Sequence, residues 1–77
     1  MLNLTELRWL SREGDTKIIF NPKNEDEVKA AEIQYDSLIE KGFTAYKVKK
    51  DGSQGKKMKE FDAEAGRIIL VPKLAGG

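Results

Sequence analysis

Asn24-Glu25-Asp26-Glu27-Val28-Lys29-Ala30-Ala31-Glu32-Ile33-Gln34-Tyr35-Asp36-Ser37-Leu38-Ile39-Glu40-Lys41-Gly42 carries the clearest periodicity in the chain. Asn24 is a favourable N-cap, and Glu27 three residues later completes a capping-box spacing. Glu25 and Asp26 set negative charge against the positive end of a helix dipole. Val28, Ala31, Tyr35, Leu38 and Ile39 form an apolar stripe, and Gly42 after Lys41 is a stop signal. The spacing predicts one helix from Glu25 to Lys41.

Strand signals lie on both sides of it. Thr16-Lys17-Ile18-Ile19-Phe20-Asn21, stopped by Pro22, has the β-branched and aromatic character of a buried strand. Phe43 to Lys49 follows the Gly42 stop as a second strand, laid near the helix by a chain reversal. Lys50 to Gly55 is rich in turn residues. Met58–Phe61 and Arg67–Val71, joined by Asp62 to Gly66, are expected to pair as a hairpin. The unbroken apolar run Ile68-Ile69-Leu70-Val71 favours a central strand. Near the N-terminus, Leu4, Leu7 and Leu10 recur at helical spacing while Leu7 and Trp9 alternate as in a strand. A helical turn capped by Thr5 is preferred there over a hairpin closed at Gly14-Asp15.

These elements define an α+β fold, a small sheet of three to five strands packed on one main helix. The expected organisation is a single domain over residues 1–72 and a flexible tail over 73–77. The expected core is Ile18, Phe20, Val28, Ala31, Tyr35, Leu38, Phe43, Ile68 and Leu70, with Trp9 at least partly buried.

Composition limits the chemistry. The chain has 77 residues with no Cys and no His. Disulfides, Cys or His metal ligation and thiol catalysis are therefore excluded, and Ser11, Ser37 and Ser53 have no histidine to activate them. Asp62 and Glu64 read as turn residues rather than a catalytic carboxylate pair. Gly52-Ser53-Gln54-Gly55-Lys56-Lys57 lacks the spacing of a phosphate-binding loop and reads as a hairpin or loop. No enzyme activity, cofactor or metal is expected. No stretch reaches the roughly 20 apolar residues of a membrane span, and the first residues lack a signal-peptide pattern. A cytoplasmic protein without membrane attachment is expected.

The net charge of +1 is uninformative, but its distribution is not. Six acidic residues lie between Glu25 and Glu40, whereas Lys47, Lys49, Lys50, Lys56, Lys57 and Lys59 crowd the following strand and loop. The simple reading is a pair of solvated faces. The sharper one is an anion-binding site for nucleic acid or an acidic protein surface, with Tyr46 as a stacking face.

The chain closes on an apolar strand, Pro72, the spacer Lys73-Leu74-Ala75 and Gly76-Gly77. Over these last ten or so residues it resembles the ubiquitin-like proteins. That resemblance implies a β-grasp-like fold and a non-enzymatic role. It also implies an activating enzyme as protein partner, which adenylates the terminal glycine for transfer to a thioester or conversion to a thiocarboxylate. By position, Gly77 would bear the reactive carboxylate and Gly76 would belong to the threading segment. Glycines suit a narrow active site, and five residues beyond Pro72 reach at most about 18 Å. The chain departs from the pattern at Ala75, where eukaryotic modifiers commonly carry Arg. Gly14 to Ile19, Glu60-Phe61-Asp62 and Val71-Pro72 also resemble small proteins of bacteria and their viruses, a likeness that implies no activity. The principal alternative to a protein-interaction role is a small nucleic-acid-binding accessory protein using the lysine-rich strand and loop. A further alternative is a structural domain whose terminus is merely frayed.

Overall fold

The computed structural model describes residues 3–48 and 55–72. Strands β1 (Thr5–Ser11) and β2 (Gly14–Phe20) precede helix α1 (Glu25–Glu40), and β3 (Phe43–Lys47), β4 (Lys56–Lys57) and β5 (Arg67–Pro72) follow it. The strands form one five-stranded sheet in the order β2-β1-β5-β3-β4, with α1 packed on one face. The β1–β5 pairing is parallel and the other three are antiparallel, so the sheet is mixed. The domain is α+β, as the sequence pattern implies, and the run Ile68–Val71 does occupy the central strand.

The preferred helical turn over Leu4–Leu10 is not formed. Thr5 to Leu10 belong to β1 instead, because strand alternation gives both faces a use: Thr5 and Leu7 are buried towards the helix, while Arg8 and Leu10 lie on the other side. Leu7 stands opposite Ile18 on one side and Ile68 on the other, and Leu7 and Ile68 are fully buried. The hairpin closes at Arg12-Glu13 between Ser11 and Gly14, two residues earlier than Gly14-Asp15 would place it. Gly14 has φ 118°, a left-handed value that favours glycine at this turn.

The second strand differs from expectation in its burial. β2 is an edge strand, and only Phe20 is buried, with Ile18 half-buried and Ile19 exposed. Two adjacent isoleucines in a strand must face opposite ways, so one of them is left on the open face.

The expected pairing of Met58–Phe61 with Arg67–Val71 is also absent. β5 is flanked by β1 and β3, leaving no free edge for a third partner. Residues 58–66 instead cross the helix side of the sheet as a strap. The Met58 amide donates to the Ala45 carbonyl (2.8 Å), and Phe61 packs against Phe20 and Tyr35 at ring-centroid distances of 6.0 and 5.4 Å. Buried Thr5 donates its hydroxyl to the Ala63 carbonyl at 2.6 Å, tying the strap to β1.

The helix follows its sequence closely. Asn24 Oδ1 accepts from the amides of Asp26 (3.0 Å) and Glu27 (3.2 Å), and Lys41 is the C-cap. Glu27 reaches past the N-cap, accepting from the Asn21 amide at 3.0 Å. Ala31, Tyr35 and Leu38 are buried, whereas Ile39 is exposed. The core also holds Leu7, Ala45 and Ala65, which the sequence pattern did not single out. Ile18, Val28, Phe43 and Trp9 sit at its margin. β3 stops at Lys47, two residues short of the expected Lys49, which lies outside the described residues.

These placements rank substitutions. Leu7→Ala is expected to cost about 2–5 kcal/mol in urea unfolding. Ile19→Ala on the open face should stay within about 0.5 kcal/mol of the parent.

Candidate functional site

The lysine-rich region is divided by the sheet. Ala45 of β3 is buried towards the helix, so strand alternation sends Tyr46 to the open face and Lys47 back to the helix side. The antiparallel register sets Lys47 opposite Lys56 and Tyr46 opposite Lys57, and directly opposed residues share a face. Lys47 and Lys56 therefore flank the strap, while Lys57 accompanies Tyr46. Lys59 is exposed on the strap itself. Lys49 and Lys50 lie outside the described residues, as do Gly76 and Gly77. Of the six lysines proposed as one anion site, the structure thus brings Lys47 and Lys56 together and sets Lys57 with Tyr46.

Lys47 does not stand free. Its Nζ lies 3.5 Å from Asp62 Oδ2, with both side chains nearly half exposed. Asp62 meanwhile organises the turn it begins: its Oδ1 accepts from the Glu64 amide (2.9 Å) and its carbonyl from the Ala65 amide (3.2 Å). The turn reading of Asp62 and Glu64 therefore holds. Gly55 enters β4 so close to β3 that a Cβ there would collide with the Lys47 carbonyl.

On the helix side, an open cleft of about 550 Å³ lies between the second half of α1 and the strap. Tyr35, Phe43, Met58 and Phe61 give it an apolar floor, and Asp36 and Glu60 stand at its rim. The Tyr35 phenol is raised above its ordinary value of 10.0, first by burial and then by the neighbouring charges of Asp36 and Glu60. Among the described residues, no group of three or more acidic side chains is arranged to hold a metal ion.

The open face of the sheet carries charged groups that the sequence pattern did not flag. Glu6 Oε2 lies 3.3 Å from Arg67 Nε and 3.5 Å from Arg8 Nε, and Arg8 Nη1 lies 3.7 Å from Asp15 Oδ2. Reading Thr5–Ser11 as a strand is the signal that would have found them, since alternation with Leu7 puts Glu6 and Arg8 together on one side.

The exit of β5 is the remaining feature. β5 is central, and Pro72 stands opposite Phe43, so the chain leaves the sheet at the end where β3 begins. In comparisons with known proteins, the chain matches no family model, no curated protein and no solved structure.

Two outcomes test this account. Lys47→Ala should change stability by less than about 1 kcal/mol, as befits an exposed ion pair, whereas Asp62→Ala loses the turn as well and should cost more. Tyr35 gives a pH signature in chemical unfolding. Its raised pKa means that the unfolded chain ionises first, so stability falls as pH climbs above 10.0 and through the folded-state value. Tyr35→Phe should flatten that fall.

Proposed function

We propose that this chain is a non-enzymatic protein-interaction domain of β-grasp-like form, acting as a ubiquitin-like modifier or carrier activated at Gly76-Gly77. The observation that carries the reading is the route of β5. A hairpin, a helix and further strands lead to a last strand held in the middle of the sheet, and the sequence after Pro72 runs directly into Lys73-Leu74-Ala75-Gly76-Gly77. A central strand is anchored on both edges, so a segment continuing from it hangs from the most firmly held region of the fold.

The chemistry belongs to a partner. With no Cys and no His, the chain has no group suited to activate its own carboxylate. An activating enzyme would join the Gly77 carboxylate to the α-phosphate of ATP, releasing pyrophosphate. Attack by an enzyme thiolate on the acyl adenylate would then expel AMP and leave a thioester. Sulfide delivery to the same adenylate would leave a thiocarboxylate. The reading requires Gly77 to be the functional terminus, and Ala75 before the diglycine alters how its adducts are detected. Trypsin cleaves after Lys73, so a modified lysine would retain Leu-Ala-Gly-Gly rather than Gly-Gly.

Intact-mass measurement of the protein from its native host is expected to find a chain ending at Gly77, with a fraction carrying sulfur in place of the terminal oxygen or joined to another protein. A peptide search is expected to find the four-residue remnant on target lysines if the chain is a modifier. A processed chain with neither a sulfur exchange nor any covalent adduct would refute the proposal.

A further inference from the structure

The pairing registers align five residues in one row across the sheet. Lys17 of β2 stands opposite Arg8 of β1, Arg8 opposite Ile69 of β5, Ile69 opposite Tyr46 of β3, and Tyr46 opposite Lys57 of β4. All five lie on the face away from α1, because their chain neighbours Leu7, Ile68 and Ala45 are in the core and Ile18 and Met58 pack against it. At about 4.8 Å between strands the row spans about 19 Å. It reads cation, cation, aliphatic, aromatic, cation.

We infer that this row is a binding site for single-stranded nucleic acid, on the order of four nucleotides long and lying across the strands. A base stacks on Tyr46 and covers Ile69. Lys17 takes a phosphate on one side of it, beside the ion-paired Arg8, and Lys57 takes one on the other. Lysine and arginine cradling a backbone around an aromatic platform is the general means of holding single strands without reading sequence. The inference does not depend on the diglycine.

Charge on both layers favours this occupant. The two carboxylates on the open face, Glu6 and Asp15, are each held by an arginine at 3.3–3.7 Å, whereas Lys17 and Lys57 have no carboxylate within ion-pair distance among the described residues. Lys17 and Arg8 oppose one another directly, and because Arg8 is already paired with Glu6 and Asp15, Lys17 is the uncompensated cation at that end of the row. The helix is the reverse: α1 carries six carboxylates and one lysine, Lys29, so a polyanion is repelled from the helix itself. Asp and Glu side chains of an acidic protein segment would match the cations but offer Tyr46 no aromatic face, whereas every nucleotide carries one. Lys47 and Lys56, on the helix side, lie outside the row.

The test is fluorescence polarisation of labelled oligothymidylate and oligouridylate of about ten nucleotides, titrated with the intact chain at low and rising salt. With two phosphate contacts, log K should fall against log salt with a slope of about −1.4. Tyr46→Leu should weaken binding about tenfold while Tyr46→Phe retains it, since stacking needs the ring and not the hydroxyl. Lys17→Ala and Lys57→Ala should each make the slope shallower by about 0.7. Lys29→Ala, on the acidic layer, should change nothing. Circular dichroism confirms that each variant is folded. Absence of binding at low salt overturns the inference. So does competition by polyglutamate as effective as by oligonucleotide with Tyr46→Leu unaffected, which would identify an acidic protein as the occupant.

Discussion

Everything in this domain depends on the parallel pairing of β1 with β5. It joins the N-terminal hairpin to the C-terminal half of the chain, and Leu7 beside Ile68 forms the driest region of the core. With no disulfide and no Cys or His to hold a metal, a chain of 77 residues must draw its stability from such contacts. The strap supports the same seam: the Glu6 amide donates to the Gly66 carbonyl at 2.9 Å, and Thr5 is bonded to Ala63. A residue at the start of the chain is thus fixed by several near its end.

Local signals were legible wherever the interaction that decides them is local. The helix could be read from Asn24, Glu27 and Gly42 because capping and a stripe of apolar residues act within a few turns. The centrality of β5 could be read from four consecutive apolar residues, which no edge strand needs. What could not be read was partner choice. Leu4–Leu10 fits both a helical and a strand period, and the strand wins because β5 is there to receive it, a fact absent from residues 4–10 themselves. Met58–Phe61 has the composition of a strand, yet its aromatic ring is used to close the core over Phe20 and Tyr35. Ile18 and Ile19 look equally suited to burial, but an edge strand with one covered face can bury only one of them.

The candidate sites divide along the same line. Lysine enrichment is visible in the sequence, whereas its separation by the sheet into Lys47 with Lys56 and Lys57 with Tyr46 is a property of register. Arg8 escapes notice in a helical reading of the N-terminus and joins a cationic row once that segment is a strand. The diglycine was legible from the start, being a matter of residue identity, and the fold adds the firmness of the strand from which that segment continues. Charge is divided along the same line, with six carboxylates on α1 and Arg8, Lys17 and Lys57 in one row across the open face of the sheet.

The parallel arrangement of the first and last strands has a mechanical consequence. Thr5 begins β1 at one end of the sheet, and Pro72 closes β5 at the other, with Glu6 to Trp9 bonded alongside Arg67 to Leu70. A tension applied to the chain on either side of the domain therefore runs along both strands and loads their shared hydrogen bonds together, in shear. Strands joined in antiparallel fashion and pulled from adjacent ends would instead unzip, their bonds failing in succession. A domain hauled by whatever follows Pro72 would thus resist extraction as a unit, and then yield abruptly when that single seam fails.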